Sequence, residues 1–348
     1  MSAWQEFTET LANAEEILER GDVTLDELDR AEGRRFLGRL ARLAFHALEV
    51  PPDPYAPQFR AFGPPDVTFG IPNPDNLYQS APVDPACTYR ITGRRNTVRF
   101  LGFGAQAPGI AATPGTASHL DDEQLARDAD GTFEIVASAT PGSGNWIELT
   151  PAARTIMVRQ TFVDRAAELA AELAIECLDP PARSLRAEVD PGPIDDALTA
   201  AAHRVEMLSR FWVDWVAGFA QHAPVNEFFI LDEATHLGLG GDPQVRTPLC
   251  RWYLAPGEAL AVELRPPVCD YWNIQLANIW TEPLSAPGPT CTNYAHARGG
   301  DAFRFVLADR DPGDANWLDT GGHRNGLISV RWVRADALPL PATEVVLR

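Results

Sequence analysis

The chain has 348 residues, 45% of them hydrophobic and 22% charged, which is too long for most single domains and too apolar for a disordered protein. Its formal net charge is −19, so phosphate backbones and anionic membrane surfaces are repelled, and neither is an expected partner. All 29 basic residues are arginine, which excludes a Schiff-base lysine, a P-loop lysine and an S-x-x-K dyad.

Residues 1–60 read as an N-terminal helical segment. Phe36, Leu40, Leu43 and Ala47 fall three or four apart, and Pro51-Pro52 stops the helix. Glu6 and Glu9 interrupt any apolar leader, so no signal peptide is expected. Over 61–192 the period switches to two: Tyr89 and Ile91, Val98 and Phe100, Phe133 and Ile135, then Ile156, Val158, Gln160 and Phe162. Turn residues such as Gly93, Gly131 and Gly142-Ser143-Gly144 separate them, which reads as an antiparallel β-domain.

A connecting amphipathic helix is expected within 193–235. Leu198, Ala201, Val205, Leu208, Trp212, Trp215 and Phe219 make one apolar stripe, to be buried on a sandwich flank, the N-terminal helices or a second chain. Phe211 to Phe219 is too short to span a bilayer and is broken by Asp214. From 236 to 348 strands resume at 249–254, 259–265, 270–280, 302–308 and 327–333. No strand–helix–strand rhythm appears, so the expected class is mainly β with helical additions (α+β). Its two antiparallel β-sandwich or jelly-roll modules are linked by the long helix, after the N-terminal helical segment. No internal repeat is visible.

The five cysteines, 87, 177, 250, 269 and 291, are odd in number and lack a C-x-x-C, which fits the reducing cytoplasm better than a disulfide framework. The histidines show no H-x-H or H-E-x-x-H, so neither metal nor cofactor is expected. His119-Leu120-Asp121-Asp122 could hold a cation, but a polar turn or a helix N-terminus explains it more simply.

Two islands concentrate chemistry. In Tyr271-Trp272-Asn273-Ile274-Gln275-Leu276, alternation puts Trp272, Ile274, Leu276, Asn278 and Trp280 on one face, and Tyr271, Asn273 and Gln275 on the other. The second face suits a polar ligand, solvent or a domain junction. In Asn316-Trp317-Leu318-Asp319-Thr320-Gly321-Gly322-His323, Asp319 and His323 could form an acid–base pair, or each could satisfy its own turn. Arg331, and Arg159 at a comparable strand position, could clamp an anion or an internal carboxylate.

These islands resemble those of bacterial proteins carrying the domain of unknown function 1214. The likeness also takes in Asn73-Pro74-Asp75-Asn76-Leu77-Tyr78, Tyr89-Arg90-Ile91-Thr92-Gly93, Gly144-Asn145-Trp146 and Val158-Arg159-Gln160-Thr161-Phe162, and spans about residues 70–348. The resemblance implies paired β-sandwich or jelly-roll modules, often associating as homo-oligomers, and no particular reaction.

The expected function is a small-molecule-binding protein or enzyme with its site in the C-terminal sandwich near the domain junction. Asp319 and His323 are its candidate catalytic residues. Trp272, Asn273, Gln275, Trp317, Arg331, Arg159 and Tyr78 are its candidate ligand contacts. The alternative is a structural or oligomerising module without catalysis.

Overall fold

The structure, a computed structural model, describes residues 2–19, 21–49, 52–61, 63–64, 66–109, 114–181 and 192–347. Helix α1 (Ala3–Asn13) begins at a capping box, in which the Ser2 hydroxyl accepts from Gln5 N while the Gln5 side chain accepts from Ser2 N. Helix α2 (Glu27–Glu49) buries Phe36, Leu40 and Ala44. It ends shortly before Pro51, which lies outside the described residues.

Strands β1 (Arg60–Ala61), β2 (Asn76–Pro82), β3 (Tyr89–Arg94), β4 (Phe100–Pro108) and β5 (Pro114–Asp121) follow. After them come β6 (Thr132–Ser138), β7 (Trp146–Glu148), β8 (Thr155–Thr161) and β9 (Glu172–Cys177). They make two sheets, in the orders β1-β2-β8-β4-β5 and β7-β6-β3-β9, which close over Tyr89, Phe103, Ile135 and Val158.

Helix α3 (Gly192–Ala217) leads to β10 (Phe228–Ile230), α4 (Glu233–Gly238), β11 (Val245–Arg246), β12 (Pro248–Tyr253), β13 (Glu258–Leu264) and β14 (Tyr271–Ala277). The chain closes with β15 (Cys291–Asn293), β16 (Phe303–Ala308), β17 (Trp317–Asp319), β18 (Asn325–Val333) and β19 (Ala342–Leu347). These strands form a second pair of sheets, β10-β12-β18-β14-β15, with β11 also beside β18, and β17-β16-β13-β19. Trp252, Trp272, Phe305 and Trp332 fill the space between them. Strand β10 lies inside the segment expected to be only a connector.

The two halves share one topology. With β1 matched to β10 and β2–β9 to β12–β19, both sheet orders coincide, and the parallel pair β6–β7 recurs as β16–β17. This corrects the expectation of no internal repeat. Alternating burial defines strands without demanding identical residues, so a topological duplication need not leave a sequence repeat. Register matches Arg159, opposite Gly102 of β4, with Arg331, opposite Asn273 of β14.

The α3 stripe is buried within the chain. Val205, Leu208 and Trp212 pack with Phe7, Phe36 and Leu40 of the N-terminal helices and with Trp280. Further on, Val216 and Phe219 lie against Phe229, Leu249 and Leu327 of the second half. Among the described residues, no helix is long and apolar enough to cross a membrane.

Candidate functional site

The β4–β8 sheet of the first half and the β12–β18 sheet of the second face each other across a cavity of about 1230 Å³, with α3 along one side. Its apolar wall includes Leu77, Met157, Leu208, Trp212, Trp215 and Leu249. Strand alternation explains the sheet contribution, since inner-face residues fill each sandwich and the opposite face is left for the junction.

The polar end gathers residues from four separate segments. His119 of β5 places Nε2 3.4 Å from Asp242 Oδ1, and both side chains are largely buried. Asp242 follows Gly240-Gly241, and its Oδ1 accepts from Gln244 N at 2.9 Å. Burial pushes the Asp242 carboxyl up, but the neighbouring His119 and the Arg159 guanidinium outweigh it and hold the group well below the usual carboxylate range. Arg159 donates one Nη2 bond to Gly240 O. Behind it, His236 Nε2 donates to Asp242 O at 2.9 Å. Burial holds this imidazole below its ordinary value, so it is neutral at neutral pH. Its ring lies so close to Gly241 that a Cβ there would fall 2.3 Å from Nε2, which is why that position carries glycine.

Gln106 Oε1, Trp212 Nε1 and Arg334 Nε on this wall are buried without a hydrogen-bond partner among the described residues, and His119 Nε2 has only the long 3.4 Å approach to Asp242. Leaving each unpaired costs on the order of 1–3 kcal/mol, a cost that a ligand's polar groups would remove. His119 can donate to a ligand oxygen or accept a proton from it.

Charge on the lining runs against the chain as a whole. Five arginines (154, 159, 204, 331 and 334) face two aspartates, 121 and 242, in a protein of net charge −19. Two of these arginines are held by other residues of the chain. Arg331 donates to Gln275 Oε1 (2.8 Å), Ser329 Oγ (3.2 Å), Asn273 Oδ1 (3.4 Å) and Ile71 O (2.5 Å). Arg334 is paired with Asp122 (2.7 Å) and Asp270 (3.2 Å). Arg154 and Arg204 are exposed at the rim.

The duplication explains the difference between the two matched arginines. Asn273 and Gln275 of β14 become Gly102 and Gly104 of β4, and Ser329 of β18 becomes Met157 of β8. The partners that hold Arg331 are therefore missing around Arg159, which keeps donors free for the cavity.

Of the residues expected from sequence, Arg159, Arg331 and Tyr78 line this cavity. Trp272 instead packs inside the second sandwich against Phe303 and Phe305. Asn273 donates to Asn73 Oδ1 at 2.7 Å, and Gln275 serves Arg331, so their face is the domain junction. Tyr271 adds a hydrogen bond to Asp75 Oδ2 at 2.5 Å. Trp317 Nε1 donates to Ala308 O at 3.0 Å.

Asp319 and His323 do not pair. Asp319 accepts from Gly288 N and Gly321 N, both at 2.8 Å. His323 donates from Nδ1 to Thr320 O (2.7 Å) and from Nε2 to Glu32 Oε2 (2.9 Å). Gly321 (φ +61°) and Gly322 (φ +85°) turn the chain between them and send the two side chains to different partners. Asn278, which alternation had placed on an apolar face, donates to Glu32 Oε2 at 2.8 Å and Glu282 Oε2 at 3.2 Å. Asp121 Oδ1 caps Glu123 N and Gln124 N, the turn chemistry expected of that run.

Sequence reasoning missed Asp242, His236 and Trp212 as site residues. The run Thr235-His236-Leu237-Gly238-Leu239-Gly240-Gly241-Asp242 carried the available signal, with a histidine and an acid flanking paired glycines.

No family model matches the chain, and no curated protein does. The VPA0106 protein from Vibrio parahaemolyticus has a similar fold, with a TM-score of 0.51 at 11% identity, covering 91% of this chain and 98% of that one. An uncharacterized protein from Burkholderia cenocepacia superposes with a TM-score of 0.90 at 41% identity, covering 99% of this chain and 96% of that one. With that identity sustained over nearly the full length of both proteins, this chain belongs to the same family as the Burkholderia cenocepacia protein.

Proposed function

We propose that the protein binds an amphipathic organic anion in the cavity between its two sandwiches. The apolar body lies against α3, and the anionic group meets Arg159 and His119. The observation that carries this is the contrast between the matched arginines: Arg331 has four internal acceptors, whereas Arg159 has one and lines the cavity beside the His119–Asp242 pair. A hollow of about 1230 Å³ is ample for such a ligand, since small-molecule sites run to roughly 300–1000 Å³. The rim arginines, Arg154 and Arg204, would draw the anion toward an otherwise acidic protein.

The acidity supports a partner that is neither nucleic acid nor membrane, and the five free cysteines support a cytoplasmic location. Kinship with the domain of unknown function 1214 proteins belongs to this proposal. So does homo-oligomerisation, although the α3 stripe is already occupied within the chain and is assigned no part in it.

The test uses 8-anilinonaphthalene-1-sulfonate as the reporter. It is expected to brighten on binding and to be displaced by decanoate but not by decylamine. Arg159→Ala should weaken decanoate by about 10–100-fold, the equivalent of a charge-assisted hydrogen bond of roughly 1.5–3 kcal/mol. Equal competition by decylamine would defeat the anion assignment. A protein that binds neither probe would favour a structural module instead.

A further inference from the structure

Away from the cavity, Cys87, Cys177 and Asp179 meet at one end of the first sandwich, with the two Sγ atoms and a carboxylate oxygen all within 4.8 Å of one another. We infer that these three side chains form a binding site for a thiophilic divalent cation of the zinc type.

The sheet builds the site. In the antiparallel β3–β9 pair Tyr89 lies opposite Cys177, so continuing that register sets Cys87 opposite Asp179. The ladder does continue, because Leu178 N donates to Thr88 O at 2.8 Å. Alternation then puts Cys87, Cys177 and Asp179 on one side of the pair. Thr88 N donates to Asp179 Oδ1 at 2.7 Å, which fixes the carboxylate and leaves its other oxygen available. The Cys87 thiol donates to Asp179 O at 3.9 Å, so the same short turn orients both ligands.

Geometry and charge agree on the occupant. Zinc bound by two thiolates at about 2.3 Å holds the sulfurs roughly 3.8 Å apart, within the spread found here. Two sulfurs and one carboxylate oxygen suit a borderline-soft cation better than calcium or magnesium, which take oxygen ligands. The ionisable neighbours acting on Cys87 are Cys177, Asp179 and Asp84, none of them cationic. A divalent ion would supply the missing positive charge, displace one proton from each thiol on binding and keep one coordination position for water. Spacing alone could not show this, because the two cysteines are far apart in sequence and form no C-x-x-C.

The test is titration of the reduced, full-length protein with cobalt(II) as the zinc surrogate. A thiolate-to-cobalt charge-transfer band in the near ultraviolet is expected, saturating at one equivalent and abolished by zinc. Cys87→Ser and Cys177→Ser should each lose the band, while Cys269→Ser keeps it. Because Cys87 is buried and its variant could misfold, zinc protection of Cys87 and Cys177 against alkylation in the unmodified protein is measured alongside, with the outcome read by peptide mass spectrometry. Absence of both band and protection would overturn the assignment. So would a band that survives in the Cys177→Ser variant.

Discussion

Glu32→Ala is expected to lower the unfolding free energy by about 3–5 kcal/mol, the cost of removing one partner from a buried ion pair. Glu32 lies on α2, yet it accepts from His323 and Asn278 of the second half and from Arg35 Nη2 at 2.8 Å. The His323 and Glu32 side chains are only 3% and 9% exposed. Both His323 ring nitrogens face oxygen acceptors, and only the imidazolium can donate to both at once.

Opposing effects set each charge. Burial works against the His323 cation, but the hydrogen bond and charge of Glu32 raise its pKa above the ordinary 6.5. Burial likewise works against the Glu32 anion, and His323 and Asn278 outweigh it, so its pKa falls below the ordinary 4.5. The histidine's contribution is complete below 6.5 and is lost as pH rises through its higher folded value. The glutamate's is complete above 4.5 and is lost as pH falls through its lower folded value. The gap between wild type and Glu32→Ala should therefore be widest between 4.5 and 6.5. Guanidinium unfolding at about pH 5.5 and about pH 9 measures it. A gap of constant size would show that no His323–Glu32 ion pair is at work.

Arg331→Ala should destabilise the protein by on the order of 3 kcal/mol, because it strands four acceptors around a residue only 7% exposed. One of them is Ile71 O, in the segment that enters β2, so the junction between the halves loosens as well. Arg159→Ala at the matched position should cost less than Arg331→Ala, since it forfeits a single carbonyl partner and its charge beside Asp242. Thermal unfolding of the two variants side by side checks the contrast. Equal losses would mean that Arg159 is as structural as its counterpart.

Much of the architecture was legible from periodicity. Strands such as β14 and β18 alternate polar and apolar residue types although every residue of both is buried, and the α3 stripe repeats at helical spacing. Strands of two or three residues, β1, β7, β10, β11, β15 and β17, are too short to show a period. The duplication was hidden for a different reason. What the halves share is strand order, and among the matched residues at β8 and β18 only Ile156, Val158 and Arg159 coincide with Ile328, Val330 and Arg331.

The site was legible only in part, because its walls come from segments that meet through topology. Arg159 drew attention by its place on a strand, but Asp242 and His119 become neighbours only when the loop after α4 folds over β5. Conversely, Asp319 and His323 are close in sequence and were read as a pair, whereas two positive-φ glycines separate their directions. The aromatic and amide islands do converge with distant segments, but chiefly on protein partners: Asn273 on Asn73, Tyr271 on Asp75, Asn278 on Glu32. Tryptophan and asparagine side chains need hydrogen-bond partners wherever they are buried, so their clustering marks a network without saying whether a ligand completes it.

The decisive measurement is calorimetric titration of decanoate into wild type and Gly104→Gln. A Cβ at Gly104 would sit in ordinary contact, 3.6 Å from Thr116 and 3.9 Å from Arg159 Nη1, so the glutamine can reach the guanidinium as Gln275 reaches Arg331. Saturable binding to wild type, weakened at least about tenfold in the equally stable variant, is the predicted result. Unchanged affinity in the two proteins, or no heat of binding in either, would contradict the assignment of Arg159 as the cavity's anion receptor.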